Sequence, residues 1–163
     1  MPPSATLKAV GFWKDVHGVF LHCPKPQWLV QRSWHAGELE RIIDYLRAGR
    51  DFADICDWAC KGWSTCRFRG CREGEKNGSA NFTDGEWYWP EGLAHYIQRH
   101  SVILPEQLIE KMCTNNWQVP AVGGDASLAC RTVDYSFWIA WGREQQLRRW
   151  YSFWRLAFYR PGV

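Results

Sequence analysis

The chain has no apolar run approaching the roughly 20 residues needed to cross a bilayer. Its start, Met1-Pro2-Pro3-Ser4-Ala5-Thr6, has neither a basic cluster nor an apolar stretch, so no secretory leader is expected. An even cysteine count is missing too. Seven thiols without an export signal argue against a closed disulfide framework and favour a reducing compartment, so a cytoplasmic location is expected. Several catalytic signatures are also absent. There is no Gly-rich phosphate loop followed by Lys and Ser or Thr, no Gly-x-Ser-x-Gly elbow and no His-Glu-x-x-His. A broad basic surface is lacking as well. From Gly142 onward five Arg and one Glu give +4 of the total +3, leaving −1 for the rest. A body so near neutrality is not a general platform for nucleic acid.

What the chain does have is tryptophan and a pattern of thiols and imidazoles. Twelve Trp in 163 residues supply large packing area and contact anchors at low rotamer cost. Cys66 and Cys71 lie five positions apart around Arg67-Phe68-Arg69-Gly70, and His95 and His100 repeat that spacing. Both gaps fit the ligand spacing of structural zinc sites, and thiolate with imidazole suits a tetrahedral zinc ion. The stretch between the pairs, Arg72 to Ala94, is longer than in a minimal nucleic-acid-binding finger. On an ideal helix His95 and His100 point about 140° apart, so they converge only if the last turn loosens or the helix ends early. Cys56 and Cys60 form a second ligand pool, one helical turn apart. Against the metal stands a plainer reading, in which the cysteines are small buried hydrophobes and His95 packs on Tyr96 and Trp89. Cys23, Cys113 and Cys130 read as core filler, and His17, His22 and His35 as turn or surface residues.

Local patterns predict the elements around this constellation. Leu7 to Trp13 and Val19 to Leu21 read as two strands about a His17-Gly18 turn, stopped by Pro24 and Pro26. Leu39, Ile42, Ile43 and Leu46 mark one face of a helix with Gly49 at its C-terminal cap. Asp51 is placed to cap a second short helix carrying Phe52, Ile55 and Ala59. Residues 62–71 read as a strand running into a tight knuckle at Gly70. Asp84-Gly85 between aromatic positions predicts a hairpin, with Asp84 and Glu86 solvated. Pro90 and Glu91 suit the start of a helix that carries Leu93 and Ile97 on one face. Pro105 opens a further helix with Leu108, Ile109 and Met112 inward. Leu147, Trp150, Tyr151, Trp154 and Phe158 follow helical spacing.

The expected fold is therefore α+β: a compact domain over 1–141 with an integral zinc-clipped ββα unit over 62–104, then a basic, aromatic, amphipathic helix over 142–163 packed on it. The stretch from Gly62-Trp63-Ser64-Thr65-Cys66-Arg67-Phe68 through Trp89-Pro90-Glu91-Gly92-Leu93-Ala94-His95-Tyr96-Ile97 to Pro105 resembles a group of small bacterial proteins. These pair a Cys-Arg knuckle and an Asn-Gly-Ser loop with a Trp-Pro-Glu-Gly-Leu-Ala-His-Tyr helix. The resemblance spans Leu39 to Leu104, with Phe137 to Trp141 in addition, and implies the fold unit and the metal site but no reaction. Arg69 stands where a further sulfur ligand would be sought, so Cys71 serves as the second thiolate.

The aromatic-basic tail admits four readings. It can dock in a protein groove, stack on bases while touching phosphates, lie in a membrane interface, or simply close the core with Arg stems along its edges. Trp138, Arg148, Arg149 and Arg155 are the candidate partner contacts, while Trp150 and Trp154 suit core closure. The function expected is non-enzymatic: a zinc-stabilised protein-binding module, such as an inhibitor or immunity-type partner. A nucleic-acid-binding zinc protein is the alternative, and a metal-dependent hydrolase with Glu91 near His95 the third.

Overall fold

A computed structural model describes residues 6–51, 64–72, 77–121 and 132–158; for Arg50 and for 153–158 it describes the backbone alone. Five short strands form one mixed sheet in the order β2-β3-β4-β1-β5. They are β1 (Leu7–Ala9), β2 (Arg50–Asp51), β3 (Asn81–Thr83), β4 (Trp87–Pro90) and β5 (Val133–Asp134). β2, β3 and β4 run antiparallel in sequence, whereas β1 pairs in parallel with both β4 and β5. Among the described residues, four α-helices complete the fold: α1 (Leu39–Arg47), α2 (Leu93–His100), α3 (Glu106–Thr114) and α4 (Ser136–Phe158). The architecture is α+β.

Strand alternation separates two packing surfaces. Trp87 and Trp89 of β4 enter the main core with Ile42, Ile43 and Leu46 of α1, Leu93 and Ile97 of α2, Leu108 and Met112 of α3, and Trp138 of α4. Tyr88, between the two tryptophans, joins a smaller cluster with Leu7 and Ala9, against which Phe12, Val133 and Tyr135 pack. Two of the buried indoles find backbone acceptors, whereas Trp13 Nε1 and Trp87 Nε1 have none among the described residues. Trp89 Nε1 donates to Leu46 O at 3.0 Å, and Trp138 Nε1 to Phe12 O at 2.6 Å.

Several local expectations change in the tertiary context. Residues Gly18–His22 form a 3-10 turn instead of a strand, and β1 takes its partners from β4 and β5. Pro90 ends β4 and does not open α2, whose N-cap is Gly92. Glu91 turns back to accept the N–H groups of Ser79 and Ala80 at 2.9 and 3.2 Å. Asp84 is buried, not solvated. It accepts the N–H groups of Glu86 and Trp87 and the Tyr45 hydroxyl, which lies 2.8 Å away. The C-terminal helix begins at Ser136, so the division drawn at 141/142 falls inside α4. The helix expected after Asp51 lies outside the described residues.

Candidate metal centre

The sequence builds one half of the site as a turn and the other as a helix end. Ser64 to Cys66 forms no strand, contrary to the expectation for 62–71, but is tied to the 77–78 segment by Ser64 N–H to Gly78 O and Asn77 N–H to Ser64 O, both 2.9 Å. The chain then turns over Phe68 to Cys71, closed by Cys71 N–H to Phe68 O at 3.3 Å. Gly70 holds a φ of 77°, the left-handed conformation that glycine adopts without a Cβ penalty. The Phe68 N–H points back at Cys66 Sγ, 3.5 Å away, and favours negative charge on the sulfur.

The second half is α2. Ser101 terminates it in the left-handed region (φ 51°, ψ 37°), and its N–H is shared between Ile97 O and Tyr96 O. The longer of those two reaches widens the last turn, and that widening draws residues five apart towards one side. The exit from the helix is pinned by Gln31 N–H to Ser101 O at 2.9 Å and Ile103 N–H to Leu29 O at 2.8 Å.

These two halves bring Cys66, Cys71, His95 and His100 together, with one ligand atom from each lying within 4.8 Å of every other. Cys66 Sγ is 3.3 Å from His100 Nε2, and Cys71 Sγ is 3.4 Å from His95 Nε2. A tetrahedron with zinc-like bond lengths has S-to-N edges of about 3.5 Å, so both distances match the dimensions of a metal centre. The group can hold a metal ion. All four side chains are half-buried.

Surrounding groups orient the ligands. Phe68 stacks on the His100 ring at 4.0 Å between centroids and 8° between planes. Tyr96 OH receives the Arg67 N–H at 2.9 Å, which fixes the knuckle against α2. Gln27 Nε2 donates to Arg67 O at 2.6 Å, and the Arg67 guanidinium meets Asp15 at 2.6 Å. Burial pushes the Cys66 thiol above its usual range and, with the neighbouring His95, holds His100 below its own. A neutral His100 offers a free lone pair near neutral pH. The buried sulfur favours ionisation only when a cation compensates it.

The remaining candidates are scattered. Cys23 is a buried core thiol, its pKa pushed up to about 11 by desolvation, and Cys113 is exposed. Cys56, Cys60 and Cys130 lie outside the described residues. His17 and His22 are exposed, whereas His35 pairs with Glu38 and Glu106, each at 2.9 Å.

On α4, Trp138 is 0% exposed and stacks on Trp141, which removes it from any docking surface. Arg148 pairs with Glu144 one turn earlier, and Arg149 donates to Gln27 O at 2.8 Å. The Arg155 side chain lies outside the described residues. Sequence reasoning assigned Trp150 to the core, yet it is 56% exposed, beside Leu147 and Tyr151 at 55% and 63%. Their i, i+3, i+4 spacing marked a shared face without saying which way it points. No helix among the described residues is long and apolar enough to cross a membrane. Comparison of the chain with protein families, curated proteins and solved structures found no match.

Proposed function

We propose that this is a non-enzymatic binding protein in which one zinc ion clips the Cys66–Cys71 knuckle to α2, making a ββα unit of β3, β4 and α2. The carrying observation is the four-residue cluster itself: two sulfurs and two nitrogens within 4.8 Å of one another, with two sulfur-to-nitrogen distances of tetrahedron-edge length. Zinc fits this donor set. Four protein ligands leave it no open position for a reacting water, and a structural ion is the result. Glu91 lies outside the donor cluster and one of its oxygens accepts the 79–80 N–H groups, which speaks against an acid or base role at such a centre.

A protein partner is the reading supported by Leu147, Trp150 and Tyr151, an apolar stripe left outward on a helix whose root is buried. Such a stripe suits helix-in-groove docking. The basic residues support a nucleic-acid role less well, because Arg148 and Arg149 already have partners.

Protein purified without added metal should carry one zinc per chain. Cys71→Ser should lose it, and chelation should lower the melting temperature, because metal binding is coupled to folding. Metal-free protein with an unchanged melting curve in chelator would overturn the metal reading. For the partner, capture should resist nuclease and moderate salt and fail in a Trp150→Ser/Tyr151→Ser double variant. Binding to DNA or RNA that falls steeply with salt would favour the alternative.

A further inference from the structure

The face of the sheet opposite the main core bears a cavity of about 570 Å3, within the size range of small-molecule sites. Its apolar wall is a continuous aromatic surface. Phe12 stacks on Tyr88 and Phe20 with centroids 5.3 and 5.8 Å apart, and Tyr135 meets Phe12 and Phe20 edge-on at 5.2 and 5.6 Å. These rings contact one another along one side of the cavity, two pairs stacked and two edge-on, and Trp13 and Tyr96 add further rings to its lining. A flat ring is the shape that covers such a wall.

The charged groups at the cavity decide what the ring should carry. Among the described residues they are Asp15, Arg67 and Glu91. Asp15 and Arg67 neutralise each other at 2.6 Å. Glu91 accepts two backbone N–H bonds on one oxygen and faces no cation among the described residues. Among the described residues, the lining therefore carries one uncompensated negative charge. An anionic ligand meets repulsion there, and its one possible cationic contact is already paired.

We propose that this cavity is a binding site for a small aromatic amine, its ring on the Phe12–Phe20–Tyr88–Tyr135 wall and its ammonium directed to Glu91. Ring burial supplies most of the affinity and the carboxylate supplies the choice of charge. The cavity contains none of the four clustered Cys and His residues, although Arg67 and Tyr96 border both sites, and it is argued from observations other than those that carry the proposed function.

Three probes that share a ring and differ in charge test it: phenethylamine, 2-phenylethanol and phenylacetate, titrated into the protein as purified by calorimetry or NMR. Phenethylamine should bind most tightly and phenylacetate most weakly. A charge-assisted hydrogen bond is worth about tenfold or more, so the amine should exceed the alcohol by at least that factor. Glu91→Gln keeps an acceptor for the 79–80 backbone and should bring the amine down to the alcohol while leaving the alcohol unchanged. Phe20→Ala should weaken all three. Phenylacetate binding as tightly as phenethylamine, an amine affinity untouched by Glu91→Gln, or no binding by any probe to the folded unaltered protein would each overturn the proposal. The probe order on the unaltered chain decides the matter even if a variant fails to fold.

Discussion

Gly85 illustrates what a single residue decides. It holds φ at 94° in the turn between β3 and β4, where Thr83 Oγ1 takes its N–H at 3.0 Å. A β-branched side chain is strained in that conformation. Gly85→Val should therefore cost about 1–2 kcal/mol, read from the urea midpoint, with the metal content unchanged. A neutral substitution would mean that the turn relaxes into another geometry. This glycine was legible because Asp-Gly between aromatics is a strong local signal. The four candidate ligands that the structure brings together were legible for a similar reason: thiols and imidazoles at such spacings have few competing uses. Trp138 was not. A Trp among Trp, Tyr and Phe looks the same in sequence whether it anchors the core or a partner, and only the position of Phe12 O makes it an inward residue. Asp84 misled in the same way, since nothing near it in sequence announces Tyr45.

Among the elements, α4 departs furthest from its sequence reading. Asp134 draws its start back to Ser136 by accepting the Ser136 N–H at 2.8 Å and the Ser136 hydroxyl at 2.9 Å. The helix then packs on the 24–29 segment at Gly142, where an added Cβ would stand 2.6 Å from Pro24 Cβ. Alanine raises helix propensity by about 1 kcal/mol over glycine, while overpacking costs about 1–3 kcal/mol. The contact is with a rigid ring, so Gly142→Ala should destabilise on balance, and a raised melting temperature would show that the helix can shift. The amphipathic helices α1 and α3 were readable from their periodicity. β1 was readable as a strand, but its parallel partners were not, because distant pairing leaves no local trace and Gly18–His22 had equal claim to extended structure.

At the scale of the whole molecule, His35 is one of several side chains whose polar contacts join elements far apart in sequence. Its Nδ1 meets Glu38 just before α1, and its Nε2 meets Glu106 at the start of α3. Partial burial works against the imidazolium, but the bonds to Glu38 and Glu106 prevail and raise the pKa above its usual value. A raised folded pKa gives stability that is complete below the unfolded value, about 6.5, and is lost as pH climbs through the folded one. The unaltered protein should lose more stability than His35→Gln between about pH 6 and pH 8, by no more than about 1 kcal/mol because both carboxylates are exposed. Parallel pH profiles for the two would remove His35 as the source.

Gln27 has a consequence at this same scale. Its carbonyl holds Arg149 on α4, and its side-chain amide holds the carbonyl of Arg67, the residue next to Cys66. One surface glutamine thus works as a strut between the knuckle and the outer part of the long helix. Slack introduced at the knuckle reaches the helix through that strut, so, if the cluster holds the proposed ion, amide protons near Arg149 should exchange faster in chelator, and Gln27→Ala should make their exchange indifferent to it.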